Sequence, residues 1–409
     1  MRSRPFIALY LAVLVATMGI SMVSPLLPVY AKDLGANGVW LGLTFSVFAI
    51  VQTFVGPFAG RLSDKFGRKP FIILGLVIYI IAAVGYLTAE NFYQVIGFRA
   101  FSGFGTSLVF SVARAYVGDM TPHGSEGRWL GVFATADIAG FGTGPLIAGA
   151  LRELTGFRSV FVAMAAMLAF SAFILIWWLP RHSPAELRRR AGEVPRHQNV
   201  TFKQAVRERL VVAVTLYMGL QSLAYGAILS FLALRLEDTL HASPLAIGAA
   251  FATQDLTGGL AQPMLGRLAD RFDRRALVAI GLVGNAIWMV YLGYAPVYVL
   301  VVLMLFLMGA GNGLAGVSAS ALQVVAGRKV GMGTVLGLGS ASNGLGIVIG
   351  SVAAGVLVDM FDTSTAFLFA GALTLVGAPI FLALTKGVAT RESQVEPLVG
   401  VMAEEAAGG

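Results

Sequence analysis

Apolar stretches of about twenty residues follow one another along this chain, set apart by short polar or basic segments. Each is long enough to cross the ~30 Å hydrocarbon layer of a bilayer as a helix. Helices are predicted at about 6–30, 39–59, 71–89, 94–118, 129–150, 158–179, 208–234, 245–265, 276–294, 297–321, 332–357 and 364–386. Twelve such spans place both chain ends on one side of a membrane. The first apolar run, from Pro5 to Tyr30, is much longer than the ~7–15 residue core of a signal peptide and is read as a retained span.

The basic residues choose the side. Lys32, Arg152, Arg158 and Arg235 fall on the side away from the chain ends, and Arg99 and Arg114 fall inside the fourth predicted span. The other 23 of the 29 Lys and Arg fall with the termini. That bias puts both termini in the cytoplasm. The one long polar connection, 181–207, divides the chain into a bundle of six spans at 1–180 and a second at 208–387. A short surface helix is plausible near Phe202–Arg207, and 388–409, polar and unperiodic, is expected to be disordered.

Composition sharpens this picture. Hydrophobic residues make up 57% and charged residues 12%, against about 25% charged in an ordinary soluble domain. The expected class is an all-α integral membrane protein with the lipid bilayer as a partner. The net charge of +8 follows from topology and points to no nucleic acid. There is no cysteine, so disulfides and thiol chemistry are excluded. His123, His182, His197 and His241 fall in loops without ligand spacing, so no metal is assigned. No phosphate-cradling glycine loop with its lysine occurs, which removes ATP as an energy source. No nucleophile, base and orienting group fall at one level, so the chain is not read as an enzyme.

Two segments repeat. Gly60 to Pro70 reads GRLSDKFGRKP, and Gly266 to Ala276, 206 residues later, reads GRLADRFDRRA. Each is preceded by a proline at the same spacing, Pro57 and Pro263. A repeat of this length means that the two halves are built alike. The pattern resembles the loop signature of the major facilitator superfamily, G-x-L-A-D-[RK]-x-G-R-[RK]. Gly60, Asp64, Gly67, Arg68 and Lys69 fit, Ser63 replaces Ala, and the second copy departs at Asp273. Arg99 with Gly103 resembles the fourth-helix signature of that family. Gly140, Gly144, Pro145 and Gly149 resemble the fifth-helix signature associated with proton-driven exporters, with an echo at Gly346, Gly350, Ser351 and Gly355.

The resemblance implies two six-helix bundles that rock about a central site. The first, fourth, seventh and tenth helices would line the cavity, and the second, fifth, eighth and eleventh would form the seam. It also implies a conformational latch. Asp64 would lie against the amino end of the eleventh helix and Arg68 would meet Asp119, both only while the cytoplasmic side is closed. The alternative is a basic loop that merely orients the chain.

Ionisable groups inside a span cost ~2.5–3.5 kcal/mol and call for a reason. Four are found: Arg99, Arg114, Asp137 and Asp255. Asp137 is read either as a proton carrier or cation counter-charge, or as a fixed ion pair with Arg99 or Arg114. Asp255 is read either as a proton or cation site, or as a carboxylate held by small polar neighbours. Arg114, near the cytoplasmic surface, is expected to snorkel. Tyr217, Gln221 and Tyr225 share one face of the seventh helix and read either as substrate contacts or as an interhelical hydrogen-bond seam. Met18, Met22 and Asn312 are further cavity candidates. Together these features imply a monomeric secondary transporter, driven by the proton gradient and without a cofactor. It would export small amphipathic or drug-like molecules across a bacterial-type inner membrane. A dedicated exporter of a sugar, metabolite or lysolipid is the alternative, and a non-transporting sensor on the same fold a more distant one.

Overall fold

The structure, a computed structural model, describes residues 4–121, 125–180 and 207–387. The linker from 181 to 206, with most of its expected surface helix, and the tail from 388 lie outside the described residues. The elements are all helices: α1 (Arg4–Ser21), α2 (Val23–Asp33), α3 (Gly38–Phe66), α4 (Arg68–Thr88), α5 (Phe92–Met120), α6 (Glu126–Thr155), α7 (Phe157–Trp178), α8 (Arg209–Asp238), α9 (Pro244–Arg271), α10 (Arg274–Tyr294), α11 (Tyr298–Val330), α12 (Met332–Met360) and α13 (Thr363–Thr385).

α1 and α2 together form the first span, and eleven spans are both long and apolar enough to cross a membrane. The twelfth, α9, is as long but more polar, since it carries Thr253, Gln254, Asp255, Thr257 and Gln262. The first span was expected unbroken. It breaks at Met22 because Pro25 has no N–H for the Ser21 carbonyl one turn back.

Helix starts follow the sequence. Asn37, Asn91, Ser243 and Asp362 each accept a hydrogen bond from a first-turn backbone N–H of α3, α5, α9 and α13. The repeated basic segment was expected as a loop over 60–70. It is instead the last turns of α3, and Gly67 alone separates α3 from α4. Gly67 has φ +104°, and Gly331, the single residue between α11 and α12, has φ +91°. Side chains other than glycine rarely adopt such angles.

The two halves pack alike. α1 lies on α6 and α7, and α8 lies correspondingly on α12 and α13. α5 joins α3 and α4, and α11 joins α9 and α10. Two long seams connect the halves, α3 with α12 and α6 with α9. No extended packing joins α1 or α5 to α8 or α11, so these four helices border the space between the bundles.

Candidate functional site

Helices rest on bare backbone both within each half and across the seams. On α6, a Cβ at Gly140 would strike Thr17 and Met18 of α1, and one at Gly144 would strike Ser21 and the Met18 carbonyl. Ser21 Oγ donates to the Gly140 carbonyl at 2.9 Å. Further along, Gly149 lies on Pro244, and Pro145 lies under Gly248 of α9. The echo behaves identically: Gly346 and Gly350 rest on Gly219 and Leu223 of α8, Gly355 on Gly38, and Ser351 on Gly42 of α3.

One face of the molecule is shut by contacts between halves. It is the face opposite the basic ends of the helices, and we call it the distal face. Lys32 pairs with Asp238 at 2.6 Å, and these two positions are 206 residues apart, so a residue meets its own repeat equivalent. Arg152 pairs with Glu237 at 2.7 Å. Asp359, at the end of α12, accepts the backbone N–H groups of Gly38 at 2.7 Å and Val39 at 2.9 Å. Glu153, the equivalent of Asp359, accepts the N–H of Leu245, the equivalent of Val39, at 3.1 Å. Pro244 has no N–H to offer a second bond. Each carboxylate thus sits across the interface on a helix amino end, where the dipole is positive. This gate was not anticipated, although the 206-residue offset relates its members.

Toward the basic face the seams part. The α3–α12 contacts run from Gly38 to Thr53, which meets Gly344. Beyond it, a Cβ at Gly60 of α3 or at Gly333 or Gly337 of α12 would meet nothing within 4 Å. The other seam runs to Ile138, against Gly259, and Gly131 beyond it is open.

The expected latch residues cluster at this parted end. Arg68, buried, pairs with Asp64 and, at 3.2 Å, with Asp119, and it donates to Ser63 Oγ at 2.7 Å. The Arg68–Asp119 pair joins α4 to α5 within one half and is present while the distal face is shut. This corrects the expectation that it forms only when the basic face closes. Lys69 donates to the carbonyls of Ile176 and Leu179 at the end of α7. Its equivalent, Arg275, donates to the Thr385 carbonyl at the end of α13. Both therefore cap helices.

Among the intramembrane charges, Arg114 Nη2 lies 3.3 Å from Asp137 Oδ2, and Thr17 Oγ1 donates to the other oxygen at 3.4 Å. Of the two candidate partners for Asp137, the structure selects Arg114, not Arg99. Arg99 does not line the central space. It is 4% exposed and packs on the ring faces of Phe45 and Phe48, at 5.0 and 4.3 Å, beside Tyr79 and Tyr86. Aromatic faces attract a desolvated cation with ~2 kcal/mol or more. Met22 is fully buried and likewise no cavity residue, while Met18 is half-buried.

Asp255 stands apart. It lies midway along α9, and no hydrogen bond or ion pair to it occurs among the described residues. Tyr225 of α8 is near enough to feel its charge. One turn along α8, Gln221 Nε2 donates to Asn312 Oδ1 at 2.6 Å, and Asn285 Nδ2 donates to Gln221 Oε1 at 2.7 Å. Tyr217, 5% exposed, lies one turn from Gln221 on the same helix. The amide contacts are the interhelical seam that the stripe on this helix allowed. Asn285, on α10, was not among the expected site residues, because the ninth helix was assigned neither to the cavity nor to the seam.

Two matched six-helix bundles around a central space, with paired seams and a gate at one end, define a polytopic membrane transport protein. The family model described as Major Facilitator Superfamily matches residues 9–234 and 214–403. The chain belongs to that superfamily and is one of its transporters. It is 25% identical over 383 residues to the quinolone resistance protein NorA of Staphylococcus aureus (strain MSSA476), covering 93% of this chain and 96% of that one. It is 25% identical over 336 residues to the multi-drug resistance efflux pump PmrA homolog of Lactococcus lactis subsp. lactis (strain IL1403), covering 81% and 82%. In fold it is similar to the nucleoside transporter NupG, with a TM-score of 0.77, 15% identity, and 94% and 100% of the two chains covered. A bacterial homolog of the human lysosomal transporter Spinster, solved in an inward-facing and occupied conformation, gives 0.75 at 15% identity, covering 93% and 96%.

Proposed function

We propose that this protein is a proton-coupled exporter of small amphipathic or drug-like molecules, working by alternating access in a bacterial-type inner membrane with both termini in the cytoplasm. The observation that carries this reading is the carboxylate of Asp255, inside a span and with no hydrogen-bond or ion-pair partner among the described residues. A carboxylate in a membrane interior must bind a cation, bind a proton or be hydrogen-bonded. With no partner among the described residues, Asp255 is available to a proton and to a cationic substrate in turn, and competition between the two is the simplest route to exchange. Asp137, held by Arg114 and Thr17, serves as a fixed tie among α1, α5 and α6. The basic bias supports a cytoplasmic position for the parted end of the seams; on that reading the arrangement is inward-open, ready to load.

Relatives associated with quinolone resistance and multidrug efflux support the substrate class. The test is flux of ethidium, an aromatic cation, in liposomes containing the purified protein. An imposed pH gradient is expected to drive accumulation by the wild type, and Asp255→Asn is expected to abolish that coupling while downhill exchange of ethidium persists. Gradient-driven accumulation by the variant at the wild-type rate would move the proton site elsewhere.

A further inference from the structure

The amide chain on α8, α10 and α11 has a direction. Asn285 is 3% exposed, and its Oδ1 has no partner among the described residues. Its Nδ2 donates to Gln221 Oε1, and Gln221 Nε2 in turn donates to Asn312 Oδ1. The reverse sense would bury at Asn285 an NH2 group with both hydrogens unmet. The observed sense leaves a single carbonyl oxygen there and one unmet hydrogen. With one lone pair of its oxygen already occupied, half-buried Asn312 offers mainly its NH2 group, which has no partner among the described residues. Asp255 lies on α9 between Gln254 and Gly258, whose backbones pack on Gly309 and Gly313 of α11, either side of Asn312. A donor on α11 and, on the neighbouring α9, a carboxylate without a partner among the described residues therefore belong to the same half.

We propose that Asn312 is a specificity-determining residue and Asn285 the buried positioning residue that sets it. Asn285 holds Gln221, Gln221 occupies the Asn312 carbonyl, and the wall is thereby made a hydrogen-bond donor. The ligand that fits carries an ammonium or other N–H group for Asp255 and, elsewhere on the molecule, a carbonyl or carboxylate oxygen for Asn312. This rests on the export reading for its substrate class, but it concerns binding and needs no gradient.

Two probes separate the roles. Ciprofloxacin has keto and carboxylate oxygens and a piperazine ammonium, whereas ethidium is a cation without a carbonyl. Binding of each to the detergent-purified protein is followed by the probe's own fluorescence. Asn285→Ala is expected to weaken ciprofloxacin about tenfold, within the net range of one or two hydrogen bonds, and to leave ethidium within about twofold. Asn312→Asp, which keeps the shape but replaces the donor by an acceptor, is expected to weaken ciprofloxacin further and hold ethidium as tightly or more tightly. Thermal unfolding confirms that both variants are folded. An equal loss of both probes, or an unchanged ratio in both variants, overturns the inference. Variants that shift the ranking as expected, in a protein whose wild type shows no gradient-driven flux, support it and overturn proton-coupled export instead. Wild-type protein that binds neither probe overturns both.

Discussion

At the scale of single residues, the glycines divide into those that carry a contact and those that stand free. Gly350 lies directly over the backbone of Leu223, and no side-chain movement makes room there for a Cβ. Gly350→Ala is expected to destabilise the protein by about 1–3 kcal/mol, the usual cost of overpacking. Gly60 has nothing within 4 Å of its added Cβ, and alanine is the better helix former by ~1 kcal/mol. Gly60→Ala is expected to leave stability unchanged or raised. Thermal unfolding of the two purified variants checks both, and equal melting would refute the division. The charged residues divide in the same way. Arg99, Asp137 and Arg68 are held by rings, an arginine and carboxylates, whereas Asp255 is not held.

Helix termini are local devices and answer to local rules. Asp362 caps α13 by accepting the backbone N–H of Thr365 at 2.7 Å and its hydroxyl at 2.6 Å. Thr365's hydroxyl first, and its backbone N–H second, hold the Asp362 carboxyl below its usual value. A depressed pKa means that the cap contributes above the unfolded value, near 3.9, and is lost as pH falls through the lower folded one. Asp362→Ala is expected to cost about 1 kcal/mol at neutral pH and Asp362→Asn much less, since asparagine caps equally well. Melting temperatures at pH 7 distinguish these outcomes, and equal losses would show that charge alone matters. Capping also assigns Lys69 and Arg275. Their equivalence was legible in the repeat, but the carbonyls they bind, at Leu179 and Thr385, are 110 residues away in sequence.

For the whole molecule, the distal gate is the contact set that a rocking motion must break. Asp359 and Glu153 each bind a helix amino end across the interface, and such charges contribute about 0.3–1 kcal/mol apiece. The double variant Asp359→Asn, Glu153→Gln is expected to lose about 1–2 kcal/mol of closure, a five- to thirty-fold change in population. The chain has no cysteine, so a pair of introduced cysteines gives spin labels at unique places on the two halves. Electron–electron distances across the distal face are expected to lengthen in the double variant. Unchanged distances would remove these carboxylates from the gate.

The number and order of the spans, their pairing into two like halves and the glycines of the seams were all legible in the sequence. A bilayer enforces this legibility: a helix satisfies its backbone within itself, so apolar length alone marks each span. The first-span break at Met22 was within reach too, because Pro25 disturbs its own turn. The repeated segment over 60–70 looked like a loop because its charges mimic one, yet helical backbone tolerates charge at an interface and stops only at Gly67. The choice of Arg114 over Arg99 for Asp137, the rings around Arg99, the isolation of Asp255, the amide chain through Asn285 and the distal gate were decided by tertiary structure alone. Each depends on side chains from helices remote in sequence approaching within a few ångströms. A helical pattern specifies which face a residue occupies, whereas the partner across that face is set by how the bundles pack and by which end of the molecule is shut.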